Sequence, residues 1–237
     1  MVRQLVDERG AGVEAVTAAE LARPARHILL DFDGPVCAVF GHLADHVVAE
    51  RLRAVLAEHG QPARGAAASA HDPFEVLAYA TELGTEIAGT VEAAFQATEV
   101  EAVSQAPQAP GLPAVLDYLT SEGRIVTIVS NNSTVAIETY LRQAGLDHYV
   151  AGVSARTAAD ITRLKPNPHL LQQAMTTHGT RPGECLMVGD SVTDIHAARA
   201  AGTPVVAYAN KPGKHERLAA HHPDAIISEL TRLIPQR

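Results

Sequence analysis

The chain has 237 residues, 46% hydrophobic and 19% charged, with 27 acids against 19 bases and a formal charge of −8. This globular composition excludes disorder and collagen-like repeats, and the acidic balance argues against nucleic acid, whose phosphates need a dense cationic face. The longest apolar runs are a few residues, far short of the ~18 that a membrane span requires.

Cys37 and Cys185 each sit in an apolar stretch and read as buried free thiols, not a disulfide framework. Lysine is scarce: Lys165, Lys211 and Lys214 stand against 16 arginines, so any function needing a lysine has few candidates. The N-terminus carries early acids and no apolar secretion core, so a cytoplasmic protein is expected.

Residues 1–26 are polar and Ala-rich, with a helical pattern over 13–21 ended by Pro24, and read as an N-terminal extension. Residues 27–31 form a short apolar run ending in acid and glycine, as a buried strand meeting a loop does. Residues 41–105 are helical almost throughout. Leu43, Val47, Val48, Leu52, Val55 and Leu56 recur at helical spacing until Gly60 and Pro62. A Gly/Ala/Ser-rich loop to Ala70, helices over 73–83 and 85–103, and a proline-rich connector over 105–113 follow.

After the connector, strand and helix alternate. Strands are predicted at 125–129, 150–153, 186–188, 205–207 and 225–227. Helices are predicted at 112–122, 133–143, 168–177, 194–201 and 214–220. The expected fold class is therefore α/β: a Rossmann-like parallel sheet core, 27–40 plus 106–237, with an inserted α-helical cap domain over 41–105.

In such a sheet, ligands bind at the carboxyl ends of the strands. Asp31-Phe32-Asp33-Gly34 follows the first strand, Ser130-Asn131-Asn132 the second, and GDSVTD (189–194) the fourth, with Lys165-Pro166 between the third and fourth. Clustered Asp31, Asp33 and Asp190 would repel one another, and a divalent cation such as Mg²⁺ resolves this. A carboxylate beside that cation can attack phosphorus. A second, two residues on, can protonate the leaving oxygen and then activate water. A lysine and backbone N–H groups can hold the phosphoryl oxygens, and Ser130 precedes a helix start, which favours an anion.

DFDG (31–34), the strand ending in Ser130, Lys165-Pro166 and GDSVTD resemble the four motifs of the haloacid dehalogenase-like (HAD) hydrolase superfamily. The helical insert is similar to the C1 cap of its phosphoglycolate phosphatase-like branch. The resemblance implies a mobile lid, Mg²⁺, Asp31 as nucleophile and Asp33 as acid/base. It places Ser130, with Asn131 beside it, and Lys165 on the phosphate. Asp31, Asp190 and the Asp33 carbonyl would bind metal, supported by Asp194. The chain departs from the family pattern at Pro35, where threonine is usual, and at Ala38, where metabolite phosphatases and mutases often carry aspartate.

The function expected is a Mg²⁺-dependent phosphatase of a small phosphorylated metabolite, as monomer or homodimer, with a phosphomutase as alternative. A dehalogenase has no use for the second acid Asp33. A phosphonatase needs a cap lysine, and residues 34–164 have none. A non-catalytic binding module would be expected to lack a catalytic aspartate. Residues 41–105 carry ten acids against three arginines, which suits a leaving group poor in anionic groups. His42, at the start of the insert, is the candidate substrate contact.

Overall fold

The computed structural model describes residues 16–235. The part of the N-terminal helical pattern at 13–15 lies outside them. Helix α1 (Ala18–Ala22) opens with a capping box between Thr17 and Glu20 and buries Ala18 and Ala22 in the main core. The described end of the extension is therefore docked on the core.

Strand β1 (His27–Leu30) is buried at every position. Its side chains alternate: Ile28 and Leu30 join one hydrophobic cluster and Leu29 the other, because successive strand residues face opposite sides of a sheet. Both sides are covered, which is why Ile28, Leu29 and Leu30 are apolar in succession.

The chain then forms helices α2 (Asp45–Glu58), α3 (Pro73–Glu82) and α4 (Thr85–Val103). Residues read as loop before α3 contain a 3-10 turn, Gly65–Ser69, that tucks Ala67 inward. These helices enclose a third cluster including Leu52, Leu56, Leu77, Val91 and Phe95. Helix α4 is shared: Val91 and Phe95 pack in this cluster, while Ala102 and Val103 pack in the core beneath the sheet.

Helix α5 (Leu112–Ser121), strand β2 (Ile125–Ser133), helix α6 (Thr134–Ala144) and strand β3 (Gly152–Arg156) follow. Helix α7 (His169–His178), strand β4 (Cys185–Gly189) and helix α8 (Val192–Ala201) come next. Strand β5 (Val205–Tyr208), helix α9 (Lys214–Ala219) and strand β6 (Ala225–Ile227) complete the described fold. The sheet order is β3-β2-β1-β4-β5-β6, with every pairing parallel.

Two strands depart from the expected spans by more than a single residue at an end. Strand β2 runs on through Ser130, Asn131 and Asn132 to Ser133, with a register irregularity between Ser130 and Ser133. Strand β3 lies later than predicted and ends in Arg156, which is 2% exposed. A strand ending in a buried arginine is invisible to a hydrophobic pattern.

Candidate active site

Strand β1 lies between β2 and β4, so the loops leaving these three strands meet at one sheet edge, where the strand order reverses. Asp31 extends the ladder by one bond, its N–H donating to the Val188 carbonyl at 2.9 Å. Asp31 is 6% exposed. Lys165 arrives from the β3–α7 connection and is equally buried, at 5%. Its Nζ donates to Asp31 Oδ1 at 2.7 Å, Asp194 Oδ1 at 2.6 Å and the Val129 carbonyl at 3.0 Å. Asp31 Oδ1 also accepts the Phe32 N–H at 2.7 Å. These bonds engage Oδ1 alone.

Burial opposes the Lys165 ammonium, but the Asp194 and Asp31 carboxylates outweigh it and hold its pKa above the ordinary lysine value. Burial, then Asp194, pushes the Asp31 carboxyl well above its usual range, since two acids share one ammonium. Asp33 is pushed up to about 6 by burial, against the Val39 N–H that donates to its Oδ1 at 2.9 Å.

Asp31, Asp190 and Asp194 each offer an oxygen within 4.8 Å of the others. Two glycines permit this crowding. A Cβ at Gly34, where φ is +106°, would fall 2.2 Å from Asp190 Oδ2, and one at Gly189 would fall 2.4 Å from Asp194 Cγ. Hard oxygen donors so gathered, with too few cations among them, fit a hard divalent ion. Asp194 sits in the first turn of α8, where Ser191 N–H and Oγ donate to its Oδ2 at 3.0 and 2.6 Å.

The Ser130–Asn132 segment is held from behind. Ser130 is buried, and its Oγ donates to Asn132 Oδ1 at 3.1 Å and accepts the Asn132 N–H at 3.2 Å. The Asn131 amide binds both backbone groups of Lys165, Oδ1 accepting its N–H at 2.8 Å and Nδ2 donating to its carbonyl at 3.0 Å. The Asn131 side chain thus positions the lysine. The helix start that follows Ser130 was expected to favour an anion, and there the Ser133 N–H donates to Glu99 Oε2 of α4 at 3.0 Å. Asn132 Nδ2 donates to Glu99 Oε1 at 3.0 Å.

Fully buried Arg156 completes this arrangement. Its Nε donates to the Asn131 carbonyl at 2.9 Å and its guanidinium to Glu99 Oε2 at 2.6 Å, with a second ion pair to Glu92. The guanidinium lies 4.4 Å from the Phe95 ring centroid, a cation–π contact. The insert is therefore joined to the segment behind Ser130 through buried charge.

A cavity of about 220 Å³ opens over these groups, lined by Asp31, Asp33, Phe40, Ser130, Lys165 and Asp190, and by Asp45, Asp72 and Phe74 from the insert. A wider mouth of about 540 Å³ adjoins it, with His46, His71 and Lys211 on its wall. His42 is exposed and lines neither cavity.

The sequence reading missed buried Glu99 and Arg156, and two residues that follow β5. After β5, Asn210 Nδ2 donates to Asp190 Oδ2 at 3.0 Å, and Lys214 forms an ion pair with the same oxygen. The available signal was lysine scarcity, for all three lysines stand at this sheet edge.

Residues 13–202 match the family model of haloacid dehalogenase-like hydrolases. A phosphoglycolate phosphatase of Yersinia pestis is 29% identical over 126 residues, 53% of this chain and 53% of the relative. The pyrophosphatase PpaX of Bacillus cereus (strain AH820) is 32% identical over 117 residues, 49% of this chain and 53% of the relative. The chain spans about half the length of the curated relatives it matches. Among solved structures, CbbY from Rhodobacter sphaeroides in complex with phosphate superposes with a TM-score of 0.66 at 16% identity, covering 89% of this chain and 96% of that one. A HAD-superfamily hydrolase of subfamily IA from Geobacter sulfurreducens gives 0.57 at 24% identity, covering 92% and 98%. These structural likenesses concern the fold. The family match runs through Asp31, Ser130, Lys165 and Asp190, and the chain belongs to the haloacid dehalogenase-like hydrolases.

Proposed function

We propose that the protein is a phosphatase that hydrolyses a small phosphomonoester through an aspartyl-phosphate on Asp31. The observation that carries this reading is the Lys165 ammonium bridging Asp31 and Asp194 at the sheet edge. It fixes Asp31 Oδ1 and leaves Oδ2 for attack. As Oδ2 bonds to phosphorus, the phosphorus–oxygen bond of the ester breaks, and the leaving oxygen takes the Asp33 proton. A carboxyl raised to about 6 holds that proton more readily than an ordinary aspartate. Asp33 then accepts a proton from the water that displaces phosphate from Asp31. Ser130 and Lys165 line the cavity where the phosphoryl oxygens would lie.

Asp31, Asp190 and the Asp33 carbonyl would hold Mg²⁺, with Asp194 bracing the cluster. When bound, Mg²⁺ neutralises the phosphoryl oxygens and lets a carboxylate approach an anionic ester. The helical insert serves as a cap, and its part of the cavity wall faces the leaving group. That wall carries Asp45 and Asp72, each at a helix start. Burial, then Asp72, raises the Asp45 pKa, as two neighbouring acids should. Asp33, Asp45 and Asp72 outnumber Lys211 on the wall of the mouth, so it favours alcohol leaving groups that are neutral or cationic over phosphoglycolate or pyrophosphate.

The test is hydrolysis of matched phosphomonoesters by the metal-free and Mg²⁺-loaded protein and by Asp31→Asn. Turnover should need Mg²⁺, fall below about 1% in the variant, and rank amino-alcohol and polyol phosphates above phosphoglycolate. Undiminished activity of Asp31→Asn would overturn the nucleophile assignment. Preference for phosphoglycolate would overturn the reading of the mouth.

A further inference from the structure

Asp190 Oδ2 has two partners from the segment that follows β5, one in the connection and one at the start of α9. Asn210 Nδ2 donates to it at 3.0 Å, and Lys214 Nζ forms an ion pair with it. The Lys214 side chain is 15% exposed and the Asp190 side chain 13%, so this contact is largely shielded from water. Lys165 and Lys214 together set two ammonium groups against Asp31, Asp190 and Asp194.

The two lysines differ in freedom. The Lys165 side chain is 3% exposed, and its Nζ is bound to three acceptors at the centre of the cluster. Lys214 lies at the edge, in the first turn of α9, after a connection whose residues 211–213 are exposed. An ion pair at the edge can open into solvent, whereas the central one cannot.

We propose that Lys214 is the resident counter-cation of Asp190. It neutralises that carboxylate in the metal-free protein and yields when a divalent cation arrives, so metal loading displaces the Lys214 side chain. This rests on Asp190 being a metal ligand, as proposed above. The physical basis is competition. An ammonium and a divalent cation attract the same carboxylate and repel each other. Lys214 thereby lowers metal affinity while keeping the empty cluster from self-repulsion.

The experiment is calorimetric titration of Mg²⁺ into the metal-free full chain, its Lys214→Met variant and its Lys214→Arg variant. Methionine keeps the apolar stem without the charge. Lys214→Met should bind Mg²⁺ at least about tenfold more tightly, and Lys214→Arg should stay within about threefold of the parent. Equal or weaker binding by Lys214→Met would overturn the proposal and make Lys214 a residue that merely orients Asp190. Absence of Mg²⁺ binding by the parent chain would overturn the metal-site reading itself, and this proposal with it. A second measurement needs no variant: reductive methylation of the parent chain followed by peptide mapping. Saturating Mg²⁺ should raise modification at Lys214 several-fold and leave Lys165 protected. Unchanged modification at Lys214 would overturn the exchange.

Discussion

Replacing Glu99 by alanine tests whether the insert is fastened to the core by buried charge. The Glu99 side chain is fully buried and accepts from Asn132 Nδ2 at 3.0 Å, the Ser133 N–H at 3.0 Å and Arg156 at 2.6 Å. Alanine strands all three donors, one of them charged. Removing one partner of a buried ion pair costs about 3–5 kcal/mol. Arg156 keeps Glu92 and the Asn131 carbonyl, so the lower end, about 3 kcal/mol, is expected. At roughly 2–4 °C per kcal/mol for a chain of this size, Tm should fall by about 6–12 °C. Glu99→Gln keeps one acceptor and should cost about half as much. The assay is thermal unfolding by circular dichroism at pH 7.5, with inorganic phosphate inhibition measured below the transition. Asn132 and Ser133 continue from Ser130, so phosphate should inhibit Glu99→Ala more weakly. A Tm loss under about 2 °C in Glu99→Ala would refute the fastening argument.

Gly34→Ala should abolish turnover and weaken Mg²⁺ binding at least about tenfold, because its Cβ would fall 2.2 Å from Asp190 Oδ2 at a φ of +106°; calorimetry and an aryl phosphate assay check this. His27 is fully buried between Thr127 and Thr180 hydroxyls, and burial, then the charges of His178 and Arg26, lowers its pKa to about 4. A depressed folded pKa gives stability that is complete above the unfolded value of about 6.5 and lost as pH falls toward 4. This histidine alone should cost about 2 kcal/mol between pH 7 and 5. The parent's Tm loss over that range should be visibly larger than that of His27→Gln, and equal losses would sink the assignment. Replacing residues 42–83 by a short Gly/Ser linker while keeping α4 should leave a folded protein that hydrolyses an aryl phosphate but discriminates poorly among metabolites. Deleting α4 as well should prevent folding, since Arg156 would lose both Glu92 and Glu99; circular dichroism and a substrate panel separate these outcomes.

The motif residues were legible because each stands at a predictable place. A short apolar run followed by acid and glycine is a strand end, and period-2 alternation buries Ile28 and Leu30 on one face and Leu29 on the other. GDSVTD reads as a strand end plus a helix start, and the structure shows Ser191 capping α8 with Asp194 in its first turn. Asp31, Asp190 and Asp194 meet because a parallel sheet brings every strand's carboxyl end to one edge.

What sequence could not decide was which polar side chains turn inward, and toward what. Helical spacing marks the apolar stripe of α4, but it does not distinguish buried Glu99 from exposed Glu101. Glu99 is buried because Arg156, 57 residues away, supplies its charge. The same holds for the Asn131 amide, which binds Lys165 34 residues on. At the cavity mouth, His46 of α2 and His71 before α3 line the wall where His42 was expected, since the packing of α2 and α3 decides which residues face the opening. Lys214 was counted in the sequence but had no strand-end motif to place it, and only the docking of the loop after β5 beside Asp190 gives it a partner. Local pattern determined the elements and the order of the strand-end residues. Pairing between charges distant along the chain, which has no period to betray it, was settled by the tertiary fold.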